Sequence, residues 1–307
     1  MMRALILAAA IAAPCVAAAA DVSGTITILE GQALIYRGSG RLHAVEGVRL
    51  AAGDIVETAA STFVQIELAD QSVAQFGSAT RVMINASASR QKAERWLYIM
   101  DGWVKVTGAK RDPPAGPGLD LRAPLFEMPA SPSVVVLRSS PAEVNLFVER
   151  GDIRVVERQV GGSVGAVPFK SGDFYRRKLP GRGTVNPGSM QAFVGDMPRF
   201  FRDSLPLRLD RFRDRPVQAK DAPDFSYADV ESWLKAEPAV RRPLMQRWRG
   251  KAREPAFRAA LVANLSAHPE WDPILFPEKY LPKDPPAPRA AFAVGRAASA
   301  AASTAAR

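Results

Sequence analysis

Apolar and polar positions alternate through the first half of the chain in short runs broken by Gly, Asp, Ser and Pro. Runs at 25–29, 33–36, 63–68, 81–84, 96–100, 103–107, 133–137, 144–148 and 153–156 have the length and the β-branched or aromatic content of strands. A succession of this kind predicts an all-β sandwich, a barrel or stacked hairpins. No amphipathic helix of ordinary length is predicted before about residue 190.

The turn signals repeat. Leu29-Glu30-Gly31, Asp101-Gly102 and Arg150-Gly151 each separate two β-prone runs, and Gly53-Asp54 after Leu50 resembles Gly172-Asp173 after Phe169. Glycine takes the positive φ that a reversal needs, and Asp-Gly suits a two-residue type I′ turn, so hairpins are predicted at Gly31, Gly102 and Gly151. In the Gly-Asp pairs, Asp54 and Asp173 are expected to accept turn N–H groups, with a ligand role for Asp54 as the alternative.

Beyond residue 190 the period lengthens. Phe193, Met197, Phe200, Phe201 and Leu205 recur at near-helical spacing, with Gly195 and Pro198 keeping any helix short. Residues 206–223 are polar and basic and read as a linker or extended arm. Ser226 and Asp229 are placed as a capping box for a helix with Val230, Trp233 and Leu234 on one stripe. Further helices are predicted over 239–248, kinked at Pro243, and over 255–267, stopped by Pro269. The predicted organisation is a leader (1–20), a β domain (21–178), a basic linker with a short helix (179–223), a helical domain (224–282) and a disordered Pro/Ala-rich tail (283–307). The fold class is a mainly β N-terminal domain followed by a small all-α domain, α+β overall.

Strand geometry puts Trp96, Tyr98 and Met100 on one face. Across an Asp101-Gly102 turn, Trp103 and Lys105 join them, with Leu97, Ile99, Val104 and Val106 opposite. Trp96, Tyr98, Trp103 and Lys105 are therefore the candidate partner-binding residues. The alternative is that a second sheet or the C-terminal region covers this face.

Arg3, an apolar run and Ala18-x-Ala20 predict a secretory signal peptide, hence a periplasmic, soluble chain. No later stretch reaches the roughly 20 apolar residues of a membrane helix. Cys15 is the only cysteine, and Pro14 before it disfavours lipoprotein anchoring. The formal charge is +10, from 41 Lys+Arg against 31 Asp+Glu. Residues 21–160 carry 15 and 16 of these and residues 161–307 carry 25 and 15, so the basic excess lies in the second half. Clusters at Arg176, Arg177, Lys178 and Arg182, over 208–215 and over 241–258 suit either anionic envelope surfaces or ordinary solvated faces. Nucleic acid is not expected as a partner of an exported chain without a nucleic-acid-binding motif. His43 and His268 are the only histidines, and neither stands beside a nucleophile or metal motif. No catalytic residue, metal site or cofactor is expected, and the protein is not expected to be an enzyme.

Gly24, Ile26, Leu29-Glu30-Gly31, Gly47, Leu50, Gly53-Asp54-Ile55, Thr58, Ser61, Val64, Ile66, Leu68, Asp70 and Ser72 carry a resemblance to the FecR domain. The pattern continues through Gly102, Gly151 and Gly172-Asp173, covering about residues 21–175. Residues 131–138 depart from it, with Pro132 and a hydrophobic run where the family commonly has Arg-Gly-Thr. The resemblance implies a periplasmic β-rich recognition module. The best-known members of the family resemble transmembrane regulators, whose periplasmic part receives a signal from an outer-membrane transporter and whose cytoplasmic segment controls a sigma factor. No counterpart of the cytoplasmic segment or spanning helix is recognised here, so the anti-sigma role is not carried over. The expectation is a non-catalytic recognition or sensing module that binds another envelope protein through its β domain. The alternative is an envelope structural protein that binds peptidoglycan or another wall glycan.

Overall fold

Two β-sheets stack face to face and share one long strand. The computed structural model describes residues 22–89, 92–109, 118–159, 162–185, 187–215 and 217–281. The predicted leader with Cys15 and the predicted tail lie outside the described residues. The strands are β1 (Val22–Glu30), β2 (Ala33–Arg37), β3 (Gly40–His43), β4 (Arg49–Ala51), β5 (Ile55–Thr58), β6 (Phe63–Glu67), β7 (Val73–Phe76), β8 (Arg81–Ser89) and β9 (Lys92–Thr107). They continue with β10 (Asp120–Ala123), β11 (Phe126–Met128), β12 (Val134–Ser139), β13 (Glu143–Arg150), β14 (Ile153–Gln159), β15 (Gly162–Phe169), β16 (Phe174–Lys178), β17 (Gly183–Val185) and β18 (Lys220–Asp221).

The first sheet runs β4-β1-β6-β7-β9-β12-β13-β16-β17. The second runs β18-β3-β2-β5-β8-β9-β10-β11-β14-β15. All these neighbours are antiparallel except β9 and β10. The N-terminal part of β9 pairs with β8 and β10, and residues 102–107 pair with β12 and β7. Between the sheets, Val64, Ile66, Val104, Val135 and Leu146 meet Ile35, Val56, Val82, Ile99 and Val155, all buried. Removal of this apolar surface from water is the main force holding the layers together.

The three glycine motifs are corners rather than the expected hairpins. β1 lies in the first sheet and β2 in the second, β13 in the first and β14 in the second, and β9 changes sheets at Gly102. The segments flanking each glycine therefore do not pair, and residues 92–107 form a single 16-residue strand. The flanking strands find their partners in different sheets, and crowding reserves each corner for glycine. Gly31, Gly102 and Gly151 hold φ of 89°, 99° and 89°. A Cβ at Gly31 would lie 2.5 Å from Thr62 Oγ1, one at Gly102 2.5 Å from Thr80 Cα, and one at Gly151 3.1 Å from Ser133 Cβ. Thr62 Oγ1 accepts the Gln32 N–H at 3.1 Å, and Thr80 Oγ1 accepts the Trp103 N–H at 3.0 Å, so a hydroxyl takes up the N–H that follows each of these two corners.

The C-terminal part covers both outer faces. α1 (Pro187–Asp196) and the 3₁₀ turn Arg199–Phe201 lay Phe193, Met197 and Phe201 on Ile28, Phe63, Val136 and Phe174 of the first sheet. α2 (Tyr227–Leu234), α3 (Pro238–Arg247), α4 (Pro255–Ala263) and α5 (Asp272–Leu275) form a cap on the second sheet. Trp233, Trp248, Phe257, Leu261 and Trp271 of the cap share a core with Tyr36, Ile55, Met83 and Tyr98 of the strands. Ser226 and Asp229 close the capping box of α2, the Ser226 N–H donating to Asp229 Oδ2 at 2.7 Å. The chain is thus mainly β with short C-terminal helices, α+β overall. Among the described residues, no helix is long and apolar enough to cross a membrane.

Candidate recognition surface

The corner at Gly102 decides where the predicted binding residues go. Tyr98 is buried beneath the cap, its ring 6.4 Å from that of Trp233, and Trp96 is half-buried beside the same cluster with the Arg122 guanidinium 5.2 Å above its ring. Trp103 lies on the other side of the stack, 4.9 Å from the Phe193 ring, with Arg138 at 5.1 Å. Lys105 donates to the Phe201 carbonyl and pairs with Glu149 at 2.7 Å. The expected single aromatic face is therefore corrected: two of its residues sit under the cap and two under α1 and its following turn. The expectation failed because alternation reads the same through a hairpin and through a crossing between sheets.

The Gly-Asp turns are two copies of one bonding pattern. Asp54 Oδ2 accepts the Ala51 N–H at 2.8 Å, the Asp54 N–H donates to Ala51 O, and Gly53 and Asp54 exchange backbone bonds with Ile84 on β8. Asp173 Oδ2 accepts the Lys170 N–H at 2.6 Å, the Asp173 N–H donates to Lys170 O, and Gly172 and Asp173 bond Val148 on β13 in the same way. Gly53 and Gly172 hold φ of 82° and 90°. The Asp54 carboxylate also takes Arg37 side-on, at 3.1 Å from Nε and 2.6 Å from Nη2. This occupies both its oxygens with the chain's own donors.

The cap is fastened by polar groups as well as by its core. Glu57 accepts the Trp233 Nε1–H and the Tyr36 hydroxyl, each at 3.1 Å, and faces Arg81 at 3.6 Å. Burial pushes the Glu57 carboxyl up, and burial, then Glu57, push the Tyr36 hydroxyl up to about 12. Glu237, before α3, takes the Leu125 N–H and meets the Tyr98 hydroxyl, and burial raises it too. Arg247 donates to the Gly53 carbonyl at 2.5 Å and Trp248 Nε1–H to the Gly38 carbonyl at 3.1 Å. Burial depresses Arg247. His268 is fully buried with its Nε2 3.0 Å from the Tyr227 hydroxyl, and burial lowers its pKa, while His43 is exposed on β3.

The two ends of the stack differ. At the β4/β3 end, residues 206–221 wrap over the strands. Glu67 accepts the N–H groups of Arg208 and Leu209, Val217 bridges Val48, and β18 pairs with β3. At the other end, β15 closes the second sheet and β17 the first, and among the described residues neither has a second strand neighbour. Val167 is 43% and Val185 54% exposed there. Arg154, Lys170, Lys178 and Arg182 are exposed, whereas Arg177 is fully buried and donates to the carbonyls of Gly181, Leu125 and Arg158. β15 is absent from the strands predicted by alternation because Gly162, Gly165 and Pro168 dilute its β-prone residues. Val164, Ala166 and Val167 were the available signal.

No protein-family model and no curated protein matches the chain. Among solved structures it is similar to two crystal structures of a proposed anti-sigma factor from Parabacteroides distasonis ATCC 8503. One shows 11% identity over 46% of this chain and 64% of that chain, the other 9% over 46% and 65%, each with a TM-score of 0.37. The match spans less than two thirds of the length of those chains.

Proposed function

We propose that the protein is a non-catalytic recognition module of the cell envelope that binds another protein through its β-stack, with a sensing or regulatory role. The contact surface is the open end formed by β15 and β17. One observation supports this surface: among the described residues, the chain covers both outer faces and one end of its own sheets, while at the other end no further strand pairs with β15 or β17 and Val167 and Val185 are exposed. Free sheet edges template association with another chain, so natural proteins cover or charge those they do not use.

The test is cross-linked capture from envelope extract by the exported chain, residues 21–307, at low and high salt. One dominant protein partner, held at high salt and lost in the Val167→Glu/Val185→Glu variant, supports the reading. Capture unchanged in that variant places the contact elsewhere. Co-sedimentation with purified wall glycan that disappears at high salt, with no protein partner, replaces the reading with an envelope scaffold held by its basic residues.

A further inference from the structure

We propose that β15 takes up an extended acidic segment of the partner polypeptide as an additional strand of the second sheet. The inference rests on the protein-binding reading above and names its mode and its ligand chemistry. β15 pairs with β14 from Ile153 opposite Phe169 to Gln159 opposite Gly162, and its other edge meets no strand among the described residues. Alternate residues of an antiparallel edge strand turn their N–H and C=O groups outward, and an incoming strand satisfies them. None of the eight residues Gly162–Phe169 carries a charge, one of the devices that keep other chains off an edge. Pro168 lacks an N–H, so the usable run is Gly162–Val167, roughly 20 Å at 3.3 Å per residue. The bulge where the register shifts at Val156/Glu157, near Gly165 at φ 30°, fixes the alignment of anything that adds there.

Charge selects the occupant. Arg154 lies opposite Pro168, and Lys170 follows the strand, so both sit at its Phe169 end. Arg177 bonds the carbonyls of Arg158, Leu125 and Gly181, so exposed Arg182 lies on the β11 side of β14 and the Gly162 end of the edge is left uncharged. Asp152 is the exposed counter-charge, and the Asp173 carboxylate is engaged by the Lys170 N–H. A second copy pairing antiparallel through the same edge would set the cationic Phe169 end of each molecule against the uncharged Gly162 end of the other. Opposite charges across a strand pair attract, so an acidic strand gains at Arg154 and Lys170 an attraction that a second copy of this uncharged edge does not.

The probe is a fluorescein-labelled eight-residue peptide alternating Glu with Val and Thr, titrated into the full chain by anisotropy at low salt. A Lys-for-Glu counterpart and two forms N-methylated at alternate amides, one per edge, accompany it. The Glu peptide is expected to bind about tenfold or more tighter than the Lys peptide. Methylating one edge should cost about tenfold or more and the other edge nothing, with slowed amide exchange over 162–167. Equal binding of both methylated forms and the parent overturns strand addition in favour of charge capture. A concentration-dependent dimer with 162–167 protected in the absence of peptide overturns the acidic partner in favour of a second copy. If the peptides fail while the envelope partner is still captured and still lost in Val167→Glu/Val185→Glu, the inference falls and the protein-binding reading stands. If no protein partner is captured at all, it is the reading that falls.

Discussion

Gly102 and Gly172 hold nearly the same positive φ, 99° and 90°, yet their surroundings differ. A Cβ at Gly102 would overlap Thr80, while one at Gly172 meets nothing within 4 Å. Gly172→Ala should therefore cost only the left-handed penalty, about 1–2 kcal/mol. Gly102→Ala should add overpacking and cost about 3 kcal/mol or more. Urea unfolding of the pair measures the difference, and equal losses would mean the corner is not crowded. The glycines themselves were legible in the sequence. Their role as corners was not, because Thr62, Thr80 and Ser133, on which they sit, are contacts made by folding. Titration at buried sites also belongs to this scale. Burial raises Glu57 and Glu237 above the roughly 4.3 of an unfolded glutamate, so the folded chain binds those protons more tightly. Their contribution to stability is greatest at low pH and is lost as pH rises through the raised values. His268 runs oppositely: burial lowers it, so stability falls as pH drops below about 6.5. Glu57→Gln/Glu237→Gln loses hydrogen bonds, yet its unfolding free energy should gain on the wild type as pH rises from about 4.3 through the raised values. A difference independent of pH would show that neither carboxylate is perturbed.

At the scale of elements, the cap is held to the strands by both area and hydrogen bonds, and Trp233 supplies each. Trp233→Phe keeps most of the ring and loses the N–H to Glu57, for about 1–3 kcal/mol. Trp233→Ala removes the packing as well, for about 3–5 kcal/mol. Chemical denaturation gives the two values, and limited proteolysis within 224–281 should speed up in the same order. The start of α2 was readable because a capping box is written in neighbouring residues, Ser226 and Asp229. The path of β9 was not, because its neighbours β7 and β12 lie 25 or more residues away along the chain and nothing local distinguishes them from a hairpin partner. β15 escaped notice for a compositional reason, its glycines and Pro168.

For the whole molecule, the basic excess of the second half is only partly a surface property, since Arg177 is fully buried and Lys251 nearly so. The charge count read from the sequence therefore overstates what a partner meets. The cap has a protective role that no single helix shows. A chain ending at residue 221 would uncover Tyr36, Ile55, Met83 and Tyr98 together, a contiguous apolar patch. Dye binding and self-association should appear in that variant by fluorescence and sedimentation, and a clean monomer would mean the sheet face tolerates water. The Gly-Asp turn recurs, at Gly53-Asp54 and Gly172-Asp173, as it would in two β units joined end to end and melting separately. One strand that belongs to both sheets removes that independence, because loosening either layer at its middle takes a neighbour from the other. Backbone amides of β9 before and after Gly102 should then exchange with a single opening free energy. Two well-separated values would mean that the protein behaves as a pair of joined modules, and one value that its midpoint is a splice.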